Sequence, residues 1–466
     1  MTNTYKENLK NRYFLHISLL ILLTSFAVRF IYVGTVIVDN PIRADAEKYM
    51  SIATNLVTHG IYSHVKSDNP VPNGFITPGY PSLLALIKIV TNNPYSEYKT
   101  ILYLQATLSA LSAFLFFRIA LRLFPLWGAA LSGLIISFSP HQIVFSGYVL
   151  TETLFTFLLC SGMYLLLSSL RNPSIQRFIG IGIIIGLAAL VRPAVILLPL
   201  FLCLIMWHFQ SGKRIGTAIT AMLIGVCLMW IPWATWQSTY GSKTKGTSLA
   251  AASFAYGSYP NLLYDDAKTN YTDKRMRQAV SYKEDPAYRE MSASLSAGLR
   301  ITAQRAMEEP WTYLKWYLLG KPVMFWSWDN PMSLQGGPFV YPVLHSVYHK
   351  TFWAKASFSA LRFLHPFLTI LAIIGAIIVI KNIFFRKETT PDNYSLLFLF
   401  SVPIYYTIVH IFLLPIPRYA VPIHGFVYIG GIFTFLLSVN GIFYYILSTK
   451  RGSHYWQKVY DKFREQ

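Results

Sequence analysis

The chain has 466 residues, of which 54% are hydrophobic and only 13% charged, and its mean hydropathy is +0.41. Soluble globular chains carry about a quarter charged residues, so this one cannot cover its apolar surface with polar groups. A soluble enzyme, a disordered chain and a secreted disulfide scaffold are excluded, and a polytopic membrane protein is expected.

The net charge is +20, from 40 Lys and Arg against 20 Asp and Glu. In a membrane protein this reads as anchoring to anionic lipid and retention of basic loops in the cytoplasm. No basic run is interleaved with aromatics in the manner of a nucleic-acid surface. Cys160, Cys203 and Cys227 lie in apolar runs without CxxC spacing, which predicts buried packing residues, no disulfide and no cysteine metal site.

In chain order, the basic stretch Lys6–Arg12 precedes an apolar run from about Phe14 to Val33. At about 20 residues the run can span, and no small-residue cleavage site follows, so it reads as an uncleaved first membrane helix with a cytoplasmic N-terminus. Residues 39–98 are mostly polar and form a large first outer loop. Within it Ala46, Tyr49, Ile52, Ala53 and Leu56 recur at helical spacing, predicting a helix over 45–59 that Gly60 stops. Thr77-Pro78-Gly79-Tyr80-Pro81 predicts a turn. Ser82–Val90 predicts an apolar helix too short to span and suited to the interface.

Spans follow at about 100–122, 128–146, 150–169, 178–191, 193–210 and 216–236. The basic pairs Arg118/Arg122, Arg171/Arg177 and Lys213/Arg214 fall where alternation requires cytoplasm. Residues 237–355 form a second large outer segment, charged at Asp265, Asp266, Lys274, Arg275, Arg277, Glu308 and Glu309. Here 287–318 predicts helix with Pro310 at a helix start, and the aromatics from Trp311 to Trp328 suit an interface layer. Spans at about 360–380, 394–413 and 423–447 follow, with Lys381, Arg386, Lys387 and the basic tail 450–464 inside.

The expected fold is an all-α polytopic membrane protein of about ten or eleven transmembrane helices, with both termini cytoplasmic and two large outer loops carrying short interfacial helices. Three regions are expected. They are an N-terminal catalytic module at 1–236, an outer helical segment at 237–355, and C-terminal helices with a basic tail at 356–466. There is no internal repeat and no low-complexity segment.

Four features could carry chemistry, all on the outer side of this topology, where charge at membrane depth is costly. Asp45 lies in Asp-Ala-Glu-Lys-Tyr; on a helix it shares a face with Lys48 and Tyr49, while Glu47 points elsewhere. A carboxylate there could take a proton from an incoming hydroxyl, and it equally suits a helix cap. Thr151-Glu152 opens the fourth span. Glu152 could face Asp45 across a cavity as a second carboxylate or a metal ligand, or simply complement a helix dipole behind a threonine cap. Arg192-Pro193 divides an apolar stretch, and the arginine could clamp a phosphate or snorkel to the interface. In Pro415-Ile-Pro-Arg418-Tyr419-Ala-Val-Pro422 three prolines interrupt an apolar run. Irregular backbone at that depth is tolerated where it lines a cavity, which would make Arg418 and Tyr419 pocket residues; a plain interfacial loop is the alternative.

His345 and His349 have i, i+4 spacing that suits a metal if helical, and no Glu follows the first, so ordinary interface histidines are expected. His59, His141, His410 and His424 read as structural. Asn270 and Asn393 match the glycosylation sequon. There is no P-loop, dinucleotide fingerprint or HExxH.

Taken together, Asp45-Ala-Glu-Lys-Tyr49, Gly60-Ile-Tyr62, Thr77-Pro-Gly-Tyr-Pro81, Val149-Leu-Thr-Glu152, Gly186-Leu-Ala-Ala-Leu-Val-Arg192-Pro193 and Arg418-Tyr419 resemble the polyprenyl-phosphate-sugar-dependent membrane glycosyltransferases of the GT-C superfamily. The protein mannosyltransferases and the lipid A aminoarabinose transferases are nearest in pattern. The resemblance implies Asp45 as catalytic base. It implies Glu152, with Glu47 and Tyr49, in shaping the acceptor side or holding a divalent metal, and Arg192, Arg418, Tyr419 and Lys48 at the donor phosphate. It implies a polyprenyl-phosphate sugar as donor, a glycan, lipid or protein hydroxyl as acceptor, membrane lipids as surroundings and no nucleic acid. Two departures bear on the acceptor. Protein mannosyltransferases often carry two adjacent acids where Ala46 separates Asp45 from Glu47, and no segment here reads as the soluble C-terminal domain of the aminoarabinose transferases. The implied reaction is inverting transfer at the outer face of the cell membrane. A ligase or polymerase of lipid-linked glycans, and a transporter, are the rival readings.

Overall fold

The computed structural model describes residues 2–91, 93–170, 174–209, 213–241, 249–260, 285–330, 335–384 and 391–448. Arg171, the charges from Asp265 to Arg277, Asn270, Arg386, Lys387 and the basic tail lie outside them.

The chain is an integral membrane protein built almost wholly of helices. All ten expected apolar segments are helical. Among the described residues, seven helices are long and apolar enough to cross a membrane: Tyr13–Thr35, Pro94–Ala120, Glu152–Ser169, Gly216–Tyr240, Phe352–Ile383, Ser395–Phe412 and Pro417–Val439. The other three segments are shorter. The expected span 128–146 is broken into Leu126–Ser137 and Pro140–Phe145, because Pro140 cannot continue the preceding helix's hydrogen bonds and instead starts a new one. Ile175–Val191 and Leu198–Phe209 flank the 3-10 turn Pro193–Val195.

The elements run as follows. The first helix, α1, spans Thr2–Thr35, and a two-residue strand β1 (Ile37–Val38) follows it. The long segment expected to be the first outer loop holds α2 (Asp45–His59) and α3 (Gly79–Val90). Gly60 closes α2 in the left-handed conformation at φ 67, as the sequence predicts. The α3 helix starts three residues before the expected Ser82, since Pro81 fits a first turn, where its missing N–H costs nothing. Then come α4 (Pro94–Ala120), α5 (Leu126–Ser137), α6 (Pro140–Phe145), α7 (Glu152–Ser169), α8 (Ile175–Val191), α9 (Leu198–Phe209) and α10 (Lys213–Trp236).

The second outer segment is more broken than its sequence predicts. It holds α11 (Leu249–Gly257), α12 (Ala287–Ala293), α13 (Leu295–Glu308), α14 (Pro310–Lys315), a π turn Trp316–Gly320 and α15 (Lys321–Phe325). Ser294 and Glu309 take non-helical backbone angles and divide the expected 287–318 helix, while Pro310 does begin a helix. Strand β2 (Val343–His345) and α16 (Val347–Lys350) end the segment. His345 is therefore in a strand and His349 in a helix, so the pair loses the shared helical face that i, i+4 spacing would need. The last helices are α17 (Phe352–Phe384), α18 (Pro391–Phe412) and α19 (His424–Ser448), with the 3-10 turn Pro417–Ile423 before α19.

One apolar core joins α1, α4, α7 and α8 to α17, α18 and α19. Gly182 and Gly186 form a small-xxx-small face on α8. A Cβ at Gly182 would stand 2.0 Å from the Met222 carbonyl oxygen of α10, so only glycine permits this crossing. Cys160 and Cys203 are buried as expected, but Cys227, on α10, is exposed and corrects that expectation. The strands β1 and β2 pair antiparallel, Val38 opposite Val343 and Ile37 opposite His345, and stitch the first outer loop to the second.

Candidate active site

Four side chains from separate parts of the chain converge at one end of the helices. Glu152, at the first position of α7, has only 1% of its side chain exposed. Arg192 follows the last residue of α8, where Pro193 turns the chain away, and its Nη1 lies 3.3 Å from Glu152 Oε1. Arg418, in the proline-broken turn before α19, places Nε 3.4 Å from the same oxygen. Its Nη2 donates to Asp45 Oδ2 at 2.5 Å. One guanidinium thus bridges the two carboxylates, across 373 residues of sequence on the Asp45 side. Tyr419 lies beneath both arginines, its ring centre 4.7 Å from Arg192 Cζ and 5.3 Å from Arg418 Cζ.

Asp45 opens α2 and is not a side-chain cap. The cap position is Ala44, with no side-chain capping hydrogen bond. Thr151, the cap expected for α7, likewise makes no capping bond, and its hydroxyl turns to Glu152 Oε2 at 3.5 Å. Lys48 Nζ stands 3.9 Å from Asp45 Oδ1. Tyr49 packs edge-on against Tyr80. Glu47 does not join the group. It pairs with Lys66 at 2.6 Å on the exposed face of α2, as the helical spacing predicts. The cluster therefore holds two carboxylates and two guanidinium groups, with Lys48 at its rim.

Electrostatics follow from this arrangement. Burial alone would raise the Asp45 pKa, but the charge and hydrogen bond of Arg418, with Lys48 and Arg192, hold it below the usual carboxylate value of 3.8. Burial and the Asp45 charge push the Tyr49 hydroxyl the other way, well above its ordinary range. Glu152 Oε1, Arg192 Nη1 and Arg418 Nε have ion-pair distances but no well-aligned hydrogen bond among the described residues. Buried polar groups are ordinarily satisfied, so these three are poised to bond a further polar group.

The surroundings explain motifs that carry no charge. Thr77 Oγ1 donates to the Val191 carbonyl at 3.3 Å, and a Cβ on Gly79 would stand 2.8 Å from the Leu190 carbonyl carbon. The 77–81 turn therefore seats the end of α8, and so Arg192. Tyr80 donates to Gln105 Oε1 at 2.8 Å, and Gln105 donates to the Tyr148 carbonyl at 2.8 Å. Behind Glu152 lies a cavity of about 10 Å³, room for one water, lined by Ser109, Gln142, Thr153 and Thr156. Both amide atoms of Gln142 lack a partner among the described residues.

Arg29 went unread in the sequence, although a charge inside an apolar run is itself a signal. It is fully buried in α1, donating to Ser109 Oγ at 2.7 Å and to the Ser137 carbonyl at 2.9 Å, so it caps the end of α5 where Pro140 breaks the helix. Tyr148 and Tyr341 also had no sequence signal beyond being aromatic.

Among the described residues, no group of three or more His, Cys, Asp or Glu is placed to hold a metal. The donor set at the cluster does not suit a divalent cation. It offers two carboxylates, each already neutralised by a guanidinium group.

With this geometry in view, residues 77–236 match the family model of dolichyl-phosphate-mannose-protein mannosyltransferase. The fold aligns with the oligosaccharyltransferase AglB from the archaeon Archaeoglobus fulgidus, in complex with an inhibitory peptide and a dolichol-phosphate, at a TM-score of 0.51 and 12% identity. The alignment covers 95% of this chain and 52% of that one. The fold is GT-C-like. The apo form of the same enzyme aligns at a TM-score of 0.50 and 13% identity over 95% of this chain and 52% of that one. ArnT from Cupriavidus metallidurans, bound to undecaprenyl phosphate, aligns at 12% identity over 90% of this chain and 76% of that one, with a TM-score of 0.35. The chain spans about half the length of the oligosaccharyltransferase it matches. Among curated proteins, none is similar enough to match. The resemblance read from the motifs is borne out by the family model and by the fold shared with the oligosaccharyltransferase, and the matched segment contains Glu152 and Arg192 while leaving out Asp45 and Arg418.

Proposed function

We propose that the chain is an inverting glycosyltransferase that moves one sugar from a polyprenyl-phosphate-linked donor to a hydroxyl acceptor at the outer face of the membrane. The observation that carries this reading is the cluster itself, in which Arg418 bridges Asp45 and Glu152 and Arg192 stands beside it.

In the reaction, the acceptor oxygen attacks the anomeric carbon from the face opposite the phosphate. Asp45 takes the acceptor proton, the bond from the anomeric carbon to the phosphate oxygen breaks, and that oxygen keeps the electron pair. Passage through an oxocarbenium-like state follows by analogy with glycoside hydrolysis. The donor phosphate starts with one negative charge and leaves as a monoester with nearly two. Preorganised cations that gain contact as charge develops lower the barrier. Arg192 and Arg418 supply them on rigid backbone, with Tyr419 beneath. Asp45 held low by Arg418 is a weak base. When the phosphate engages Arg418, that pairing loosens and the carboxylate becomes more basic, which couples donor binding to proton uptake.

The outer face is supported by the opposite ends of the same helices. Arg122 Nη2 reaches Ser168 and Arg118 Nη2 reaches Tyr164, both near the C-terminus of α7, while Glu152 is at its N-terminus. The 18 residues of α7 separate the two ends by roughly 27 Å. If the basic end is cytoplasmic, the cluster faces out.

The fold match to an oligosaccharyltransferase favours a second reading, transfer of a whole lipid-linked glycan. The deciding experiment offers purified protein in nanodiscs labelled undecaprenyl-phosphate monosaccharides together with membrane extract, and follows release of undecaprenyl phosphate by wild type and Asp45→Asn. Release by wild type alone supports single-sugar transfer with Asp45 as base. No release from any monosaccharide donor sinks it in favour of glycan transfer, and equal release by the variant removes Asp45 from the chemistry.

A further inference from the structure

The turn that delivers Asp45 is strained. Ala44 has φ 51 and ψ −115, which is the first central position of a type II′ turn, a place ordinarily held by glycine. Its turn hydrogen bond is present, from Ala46 N–H to the Arg43 carbonyl at 3.1 Å. A side chain with a Cβ persists there only if its surroundings over-determine the backbone. Those surroundings come from the second outer segment. The Tyr341 hydroxyl donates to the Arg43 carbonyl at 3.2 Å, and the Arg43 guanidinium lies 4.8 Å from the centre of the Tyr341 ring. Tyr341 is itself buried and fixed, since Tyr148 donates to its carbonyl at 2.9 Å and packs edge-on against its ring. Two residues further on, Val343 enters the ribbon with Val38, and Asp39 N–H donates to the Pro342 carbonyl at 2.9 Å.

We propose that Tyr341 is a positioning residue for the reaction. It clamps the Arg43-Ala44 turn in a conformation that alanine does not hold unaided, and so fixes the direction in which Asp45 presents its carboxylate. This rests on the reading of Asp45 as base. Tyr341 touches neither reacting group in that scheme and acts through the turn. It also assigns the second outer segment a part in catalysis that a framing loop would not have.

The test uses the full chain in nanodiscs and four forms: wild type, Tyr341→Phe, Ala44→Gly and the double variant. Phe keeps the ring over Arg43 and removes only the hydroxyl. Amide hydrogen exchange at residues 46–48, whose N–H groups bond to Arg43 and Ala44, should quicken about tenfold in Tyr341→Phe and stay unchanged in the spans. Ala44→Gly removes the strain, so the double variant should return to within about threefold of wild type. With undecaprenyl-phosphate mannose as donor probe, kcat of Tyr341→Phe should fall about fivefold at unchanged KM, the size of one hydrogen bond, and recover in the double variant. Unchanged exchange in Tyr341→Phe overturns the clamp, and so does exchange quickened throughout the chain. Failure of Ala44→Gly to rescue overturns the role of strain. Asp45→Asn assayed alongside separates the two ideas: full turnover there refutes Asp45 as base whatever the exchange data say.

Discussion

The segment matched by the mannosyltransferase family model and the rest of the chain build unlike halves of one cluster. The matched half supplies Glu152 and Arg192. Both lie at ends of membrane helices, and Glu152 is almost completely buried. Their place is set by close packing, with the Thr77–Pro81 turn seated on the end of α8 and glycine at the α8–α10 crossing. The unmatched half supplies Asp45 and Arg418. Asp45 keeps 33% of its side chain exposed, and its place is set by a strained turn and an ion pair. In the proposed reaction the first half holds the phosphate through Arg192, while the second half adds Arg418 to that task and handles the proton through Asp45. Rigidity suits the one and access suits the other.

Perturbing the two halves should have different signatures. The largest effect is expected from Asp45→Asn, which keeps size and most hydrogen bonding but cannot take a proton. Turnover measured by release of undecaprenyl phosphate should fall about 10²- to 10⁴-fold with donor binding retained. Next is Arg418→Met, which breaks the bridge and leaves buried Glu152 with Arg192 alone. Loss of one partner from a buried pair costs about 3–5 kcal/mol, read as a lower unfolding temperature in detergent. Arg192→Lys keeps charge but loses the planar fork, and should raise the donor KM and lower kcat, together about tenfold in kcat/KM. A KM unchanged by this substitution would erase the distinction between the halves.

A pH series tests the same contrast. The Asp45 pKa is lowered in the folded protein, chiefly by Arg418 acting against burial. A carboxylate with a depressed folded pKa contributes stability that is full above its unfolded value, near 3.8, and is lost as pH falls through the folded value. The acid limb of the free enzyme's pH–rate profile should therefore lie below about pH 4, and Arg418→Lys should move it upward. The smallest effect is expected from Glu47→Gln. Its exposed pair with Lys66 is worth little, so turnover should stay within about twofold of wild type.

Much of this was legible in the sequence. Helix α2 and its glycine stop followed from apolar spacing and a left-handed cap. Charges placed where apolar runs end marked Asp45, Glu152, Arg192 and Arg418 as candidates, and the family resemblance gathered them into one site. Helical spacing turned Glu47 away from Asp45, and its exposed pair with Lys66 corrects the site-shaping role that the resemblance gave it. Other features were not legible because their causes are tertiary. Ala44 looks like any alanine until its φ is known. Tyr341 is one of 31 tyrosines, and its importance lies in a partner 298 positions away. The break at Pro140 was visible as a proline, but its acceptability depends on Arg29 capping the freed carbonyls from another helix. The expected helix over 287–318 is broken at Ser294 and Glu309, whose non-helical backbone angles residue spacing does not reveal.

The β1–β2 ribbon has a consequence for biogenesis. A chain emerging from the ribosome delivers α1, α2 and the whole matched segment long before Tyr341 and Val343 exist. Until residues 341–345 have been made and folded against it, the Arg43-Ala44 turn has no clamp, and Arg418 arrives later still. The contacts that place Asp45 therefore form only after residues 341 and 418 have been made.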